Sequence, residues 1–401
     1  MTVADALILT FPRSSSLDVW ERLGRLPREA HLLRGLADHY KKVVLVSRNG
    51  GSLDAIRAAA GSPQADQIEL VSFGEEDPLV GPRASMADRV LARLRDAKSA
   101  VVQTYELGDA GIAESLAGQL RRSGLATALV ARGGFLPSRV LSYRYGPHSA
   151  QAVEAGLQER GICTSAQLVV GGSGPMLDDI CWRFGVNPDR TRLVRNFVPA
   201  DVEPVATTER DADMIFSWGE LAISSRYDVV IDAVRALPAD MKSKVRLVLA
   251  GDGPARPDLE QQAADAEIQA EFLGEIGYEE FVERSLKCAI YVHAAVHNPE
   301  PLGVLEAMAN GAAVVVADTP GADELIENGV TGVRVPGTAD SMTYAIAGML
   351  PDEDWRSMIG QCAAQRVRSR CSIETVLAGL IAAHRDALAE TKAQGSQLMA
   401  G

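Results

Sequence analysis

The chain has 401 residues, 47% apolar and 23% charged, with a formal net charge of −13 and a pI of about 5.1. That length exceeds one ordinary core and suits two α/β domains. The acidic balance, without a block of basic residues, excludes nucleic acid as the main partner, because phosphate binding depends on clustered Lys and Arg.

In chain order, strand-like runs alternate with helix-like runs. "ALILTF" precedes the helical pattern "REAHLLRGLADHY", and "KVVLVS" precedes "SLDAIRAAAG". "QIELVSF", "SMADRVLARLRD", "SAVVQTY", "GIAESLAGQLRRSG" and "ATALVAR" continue the alternation, and a helix from Ser149 to Arg160 leads into "SAQLVVGG". Short apolar runs without polar alternation predict strands buried on both faces, and their alternation with helices predicts right-handed parallel βαβ units. The stretch "NFVPADVEPVATTERDAD" breaks the composition and reads as a linker over 196–213. The alternation then restarts with "MIFSWGEL" and runs to "GVRVP". The predicted organisation is therefore an N-terminal Rossmann-like domain (1–195), the linker, a C-terminal Rossmann-like domain (214–375), and a terminal helix and tail (376–401) packing back toward the first domain.

The N-terminus lacks a basic region and reads as a first strand rather than a leader. No apolar run approaches the ~18 residues of a membrane span. The cysteines Cys163, Cys181, Cys288, Cys362 and Cys371 are scattered without metal-ligand spacing, and such isolated thiols suit a reducing, cytoplasmic compartment. The six histidines form no metal-type cluster, so no metal site is expected; His293 sits in a strand pattern and reads as core.

Open parallel sheets bind ligands beyond the carboxyl ends of their strands, so the residues directly after strands are the candidates for chemistry. "LVLAGDGP" ends a strand with Gly251, Asp252 and Gly253, and "EFLGE" ends another at Leu273 and Gly274. In "HNPEPLGVLEAMANG", Gly303 stands where a helix starts. There the amides of Gly303, Val304 and Leu305 could face an anion, and Glu306 lies in the first turn. Arg132 and Gly133 follow the strand "TALVA"; Arg13 with Ser14, Ser15 and Ser16 follows the first strand as a phosphate or acceptor loop.

Together these segments resemble the retaining glycosyltransferases of family 4, which have the GT-B fold. The resemblance rests on "GDGP", "EFLG", "EPLGVLEAMANGAAVVVAD" and "PGADELIENGVTGVRV" in the C-terminal half. In the other half it rests more loosely on "SSLDVWERLGRLPREAHLLRGLAD", "LVARGGFLPSRVLS" and "RTRLVRNFVP". It implies an α/β protein of two doubly wound domains facing across a cleft, transferring sugar from a nucleotide-diphosphate donor (a UDP- or GDP-sugar) with retained anomeric configuration. No cofactor or metal is implied. The acceptor would be a carbohydrate, a small molecule or a lipid-linked glycan, with peripheral contact at the inner face of a membrane in the last case and a role in polysaccharide or glycoconjugate synthesis. Glu306 is then expected on the nucleotide ribose, with Gly219, Ser225 and His297 also at the donor.

The family places two acids with seven residues between them, the second directly before Ala-Met-Ala-x-Gly. Counting back from Glu306 reaches Asn298, whereas the acid, Glu300, lies nearer; either Glu300 or Asn298 fills the first position. The family's diphosphate-binding Arg and Lys are replaced by Glu220 and Ser225, which turns attention to Arg226 and Arg132 as the cations that stabilise the leaving group. Those replacements leave two alternatives open: an inactive transferase-like binding or partner protein, and another enzyme on the same fold, such as an epimerase or a phosphorylase.

Overall fold

The computed structural model describes residues 2–48, 50–61, 63–73, 86–199, 210–295 and 301–400. The chain divides into two compact units, Met1–Arg195 with Ile373–Gly401, and Asn196–Ser372.

The first unit runs β1 (Ala4–Thr10), α1 (Leu17–Arg22), α2 (Leu26–Ala37), β2 (Tyr40–Arg48), α3 (Leu53–Ala60), β3 (Ile68–Phe73), α4 (Met86–Arg93), β4 (Ser99–Thr104), α5 (Gly111–Arg122), β5 (Ala126–Gly133), α6 (Pro137–Tyr145), α7 (Ala150–Ser165), β6 (Leu168–Gly171), α8 (Gly174–Phe184) and β7 (Thr191–Leu193). Among the described residues these strands form one parallel sheet in the order β3-β2-β1-β4-β5-β6-β7. Val43 to Ser47 of β2 and Val101 to Thr104 of β4 are fully buried, which is why those runs read as unbroken apolar stretches. Helix starts follow side-chain caps: Ser52, Ser149 and Ser173 each accept a hydrogen bond from an amide of the first turn. Helix α7 extends five residues beyond the Arg160 end read from the sequence, since Ile162 and Cys163 continue its buried face.

The second unit runs β8 (Asp211–Trp218), α9 (Tyr227–Arg235), α10 (Ala239–Lys242), β9 (Arg246–Ala250), α11 (Arg256–Asp265), β10 (Gln269–Gly274), α12 (Tyr278–Lys287), β11 (Cys288–His293), α13 (Leu302–Ala309), β12 (Ala313–Ala317), α14 (Ala322–Leu325), β13 (Val333–Val335), α15 (Ala339–Met349) and α16 (Glu353–Cys371). Its parallel sheet has the order β10-β9-β8-β11-β12-β13. Strand β8 begins inside the stretch read as linker, with Asp211 accepting a hydrogen bond from Arg246 at 2.8 Å; residues 200–209 of that stretch lie outside the described residues.

Each order reverses at one point, between β1 and β4 in the first sheet and between β8 and β11 in the second. At such a switch the crossovers leave in opposite directions and open a crevice at the strands' carboxyl ends. No helix among the described residues is long and apolar enough to cross a membrane.

The last helix, α17 (Ile373–Ala400), belongs to the first unit. Gly35 lets it approach α2, since a Cβ there would lie 2.1 Å from a methyl of Leu377. It also carries the fully buried His384. That ring's Nδ1 lies 2.6 Å from the Tyr40 hydroxyl and its Nε2 lies 2.6 Å from Oε1 of Gln103, joining α17 to β2 and β4. Burial, helped by the positive charge of Arg132, pushes the His384 pKa down to about 3.

The unfolded chain protonates this histidine near the ordinary 6.5, whereas the folded chain resists to about 3. Its contribution to stability is therefore full above pH 6.5 and declines as pH falls toward 3. Thermal unfolding should show melting temperature falling between pH 7 and pH 5. His384→Phe should weaken that acid dependence while costing about 1–3 kcal/mol at pH 7.5, because Tyr40 and Gln103 lose their buried partner.

Candidate functional site

At the switch point of the second sheet, three loops that follow β8, β9 and β10 are stitched together by backbone. Gly219 N–H donates to the Ala250 carbonyl (3.0 Å), Leu221 N–H to the Asp252 carbonyl (2.9 Å), Ala255 N–H to the Leu221 carbonyl (2.9 Å) and Gly251 N–H to the Gly274 carbonyl (2.7 Å). This closeness requires glycine. A Cβ on Gly251 would stand 1.9 Å from the Gly219 oxygen, and one on Gly253 would stand 2.5 Å from the Leu221 oxygen. The glycines read from the sequence as places for a ligand to approach backbone thus first let backbone approach backbone. The amides of Gly219, Gly251 and Gly253, residues expected at the donor, already have acceptors. All three are taken internally, the last by the Asp252 carboxylate at 2.7 Å. Arg256, which the sequence reading passed over, ties the same loops by donating to Asp252 (3.2 Å), Glu260 (2.7 Å) and the Phe272 carbonyl (3.4 Å) beside half-buried Leu273.

Across the switch, α13 starts at Leu302 with Pro301 as its cap. Gly303 is pressed against β8 and β11: a Cβ would lie 2.4 Å from the Tyr291 hydroxyl and 3.2 Å from the Trp218 ring. Tyr291 in turn donates to the Trp218 carbonyl at 3.3 Å. The amides of Val304 and Leu305 both donate to the Pro301 carbonyl at 3.1 Å, which corrects the expectation that they face an anion. The helix start leaves the amides of Leu302 and Gly303 without an acceptor from the chain among the described residues. Glu306, one turn further on, is 1% exposed and its charge is felt at Tyr291. His293 ends β11 beside a small cavity lined by Pro301, Val304, Thr319 and Ala322. Its pKa is pushed down to about 4 by burial.

The cation question resolves in part. The Glu220 side chain is exposed to solvent, where water screens its charge. Ser225, expected at the donor, sends its hydroxyl proton to the Glu220 carbonyl at 2.7 Å. Arg226 caps α9 in the left-handed conformation (φ 56°) and reaches Asp228 at 3.3 Å. That pair is partly exposed on both sides and is worth little.

In the first unit, the loop after β1 holds Arg13, Ser14 and Ser15 in a short 3-10 turn, with Ser16 extended after it. Arg13 is exposed and its amide donates to Asp109 at 3.0 Å. Ser16 is buried and its hydroxyl donates to the Arg13 carbonyl at 3.2 Å, which occupies the proton expected for a phosphate. Arg132 is 6% exposed. Its backbone is fastened to the Thr104 hydroxyl in both directions at 2.7 Å, and its guanidinium lies 5.8 Å from the centre of the Tyr105 ring. Sequence reasoning missed Tyr105 and Glu106, although both directly follow β4. Glu106 accepts a hydrogen bond from the Gly134 amide at 2.9 Å, and Tyr105 donates to Glu29 at 2.7 Å. His297, Asn298 and Glu300 lie outside the described residues, as does the acid spacing that rests on them.

These two parallel-sheet units, each with one switch point, define an α/β architecture shared with solved glycosyltransferase structures. Anabaena HepE in complex with UDP and glucose aligns with a TM-score of 0.71 at 16% identity, covering 94% of this chain and 98% of that one. Sucrose-phosphate synthase from Thermosynechococcus elongatus aligns with a TM-score of 0.69 at 17% identity, over 99% and 100% of the two chains. The expected fold class, two Rossmann-like domains of the GT-B kind, is thereby shown. Residues 203–366 match the family model described as Glycosyl transferases group 1. Among curated relatives, alpha-D-kanosaminyltransferase of Streptomyces kanamyceticus is 29% identical over 178 residues, 42% of this chain and 45% of its own length. Alpha-monoglucosyldiacylglycerol synthase of Streptococcus pneumoniae is 33% identical over 133 residues, 32% of this chain and 30% of its own. The chain thus spans less than half the length of these two relatives.

The stitched loops generate a stability test. Gly251→Ala places a Cβ 1.9 Å from a backbone oxygen at φ +127°, so it should cost at least about 2 kcal/mol in denaturant unfolding of the full chain. Gly348→Ala, inside α15 with its nearest neighbour 4.0 Å away, should be neutral or stabilising.

Proposed function

We propose that this protein is a glycosyltransferase of the EC 2.4 class. It moves a sugar from a nucleotide-diphosphate sugar to an acceptor hydroxyl with retention of anomeric configuration and without a metal. The carrying observation is the switch point of the second unit, where glycine-packed loops meet a helix start with two amides that no described residue accepts, inside the segment that matches the glycosyl transferase family model.

In this reading the second unit, read from the sequence as 214–375, binds the donor. The diphosphate lies at the start of α13, where the amides of Leu302 and Gly303 and the helix dipole oppose its charge. Arg226, released from its weak pair with Asp228, adds the positive charge that the leaving group needs as the bond to the sugar breaks. Glu306 holds the ribose, and Glu300 or Asn298 orients the sugar. The acceptor oxygen bonds to the anomeric carbon on the face from which the diphosphate departs. The bond from that carbon to the phosphate oxygen breaks, and that oxygen takes the hydroxyl proton. No protein nucleophile enters, and among the described residues no group of His, Cys, Asp and Glu is arranged to hold a metal.

UDP-sugars are the favoured donor class, because HepE is the neighbour solved with UDP and glucose and also with UDP-glucose. The acceptor class is a carbohydrate, a small molecule or a lipid-linked glycan, in polysaccharide or glycoconjugate synthesis in the cytoplasm. The exposed Tyr145, Leu157 and Trp182 of the first unit support peripheral contact with a membrane for the last of these. A binding protein without turnover is the second reading, favoured by Glu220 in place of an arginine and by the internal use of the Ser225 hydroxyl.

Incubation with UDP- and GDP-sugars in chelator tests both readings. Transfer or slow nucleotide release supports the enzyme, stabilisation in thermal shift without any release supports the binding protein, and neither response rejects donor binding altogether. NMR of the product reads the anomeric configuration. If Glu300 fills the first acid position, Glu300→Gln should lower kcat roughly 100-fold and Asn298→Ala less than about 3-fold; the reverse order assigns the position to Asn298.

A further inference from the structure

Beneath the switch of the second unit lie two buried tyrosines, Tyr291 of β11 and Tyr227 of α9, whose hydroxyls meet the loops above. The Tyr291 hydroxyl donates to the Trp218 carbonyl at 3.3 Å. The same peptide is held at its other end, where the Gly219 N–H donates to the Ala250 carbonyl at 3.0 Å. A peptide fastened through both its carbonyl and its amide cannot rotate without giving up a hydrogen bond. It is the peptide from which the loop after β8 departs, so its tilt fixes the direction in which the chain leaves toward Arg226. Tyr227 supports the same corner. Its hydroxyl hydrogen-bonds Ser217 and would stand 3.1 Å from a Cβ on Gly219, while the Ser217 hydroxyl donates to the Val292 carbonyl of β11 at 2.6 Å.

The other side of the Tyr291 hydroxyl bears on α13. A Cβ on Gly303 would lie 2.4 Å from that oxygen and 3.4 Å from the ring carbon that carries it, so the helix start rests on the hydroxyl with no room for a side chain. One oxygen thus bonds to the loop after β8 and limits how closely the first turn of α13 approaches. The ring below it meets Phe216 (5.8 Å) and Phe281 (6.4 Å) edge-on, and Phe281 also packs on the Trp218 ring at 4.3 Å. Packing of this kind leaves the phenol one orientation. The ionisable groups facing it are Tyr227, Cys288 of β11 and Glu306 of α13. Burial, followed by the field of Tyr227, holds its pKa well above the ordinary phenol range, so the proton shared with Trp218 stays in place throughout neutral pH.

We propose that Tyr291 is a positioning residue for the donor diphosphate, its hydroxyl acting as the spacer that sets the gap between the loop after β8 and the start of α13. The assignment rests on the transferase reading and deepens it, since that reading brings Arg226 from the first element and the amides of Leu302 and Gly303 from the second to the same diphosphate. The hydroxyl itself touches no ligand; it acts through Trp218 and Gly303. Charge-assisted hydrogen bonds weaken steeply with distance and angle, so a changed gap is felt first by the phosphates and much less by the base.

Isothermal titration of the full chain with UDP, and saturation-transfer NMR with uridine as the phosphate-free control, test the assignment; GDP and guanosine take their place if UDP does not bind. Tyr291→Phe keeps the ring and removes only the oxygen, so it should weaken UDP at least ~5-fold and uridine less than ~2-fold. A general loosening of the core would weaken both alike. Gly303→Ala should weaken UDP at least ~10-fold, because its Cβ meets the hydroxyl. In Gly303→Ala/Tyr291→Phe that collision is gone, so UDP should bind at least ~3-fold more tightly than to Gly303→Ala alone. Thermal melting of each variant restricts the comparison to folded protein. The assignment is overturned if Tyr291→Phe leaves the ratio of UDP to uridine affinity unchanged, or if the double variant is as weak as the product of the two single effects. A wild type that binds neither UDP nor GDP rejects the donor reading and this assignment with it. Binding of UDP without turnover of UDP-glucose counts against the transferase reading alone and leaves the spacer standing.

Discussion

A parallel sheet must be covered on both faces, because every connection between neighbouring strands is a crossover that lays a helix on one face or the other. In this protein that constraint buries β2, β4, β11 and β12 almost completely and pushes polar chemistry to the strand ends. The reversals at β1/β4 and β8/β11 then decide where the crossovers part. Every described group assigned a role here, from Gly303 and Arg226 to Tyr291, lies at or near the second of these reversals.

Loop packing does the second half of the work. At the end of β9, Gly251 and Gly253 remove the Cβ atoms that would otherwise collide with the loop after β8, and at the end of β5 Gly133 does the same for the loop after β4. In both units a glycine at a strand end serves a neighbouring loop, and that loop presents the side chain. The "RGG" and "GDG" stretches are alike for this reason, although one stands beside Glu106 and the other beside Asp252.

Much of the fold was legible because buried parallel strands leave a simple trace: short, unbroken apolar runs spaced by helical periods. Strand ends were legible for the same reason. What could not be read was the partner of each polar group. Ser225 stands where the family has a diphosphate-binding Lys, yet its proton goes to a carbonyl five residues back. The amides of Val304 and Leu305 look open at a helix start, yet Pro301 turns its carbonyl onto both. Glu106 looked like any acid in a loop, because its partners are the Gly134 amide, 28 residues away, and Arg132 on the adjacent strand. Such pairings are set by strand order, which periodicity does not encode.

The replacement of the usual diphosphate arginine by Glu220 is less damaging than its charge suggests. Coulomb repulsion between unit charges a few ångströms apart is about 4 kcal/mol at the effective dielectric of a protein surface, but only about 1 kcal/mol in water. Glu220 is exposed, so solvent brings its repulsion between these two figures. Its backbone matters more: the Glu220 carbonyl accepts from Ala222 and from Ser225, which fixes the turn that delivers Arg226 to the start of α9 in a left-handed conformation. A non-glycine residue held there carries strain of order 1 kcal/mol or more, and a strained arginine in a partly exposed ion pair is poised to exchange its carboxylate for a better anion. A pyrophosphate offers two charged groups in place of one. Arg226, six residues beyond the second position of the Gly-x-Leu stretch, is held by a turn that a backbone carbonyl fixes, so the turn does not depend on which side chain stands at 220.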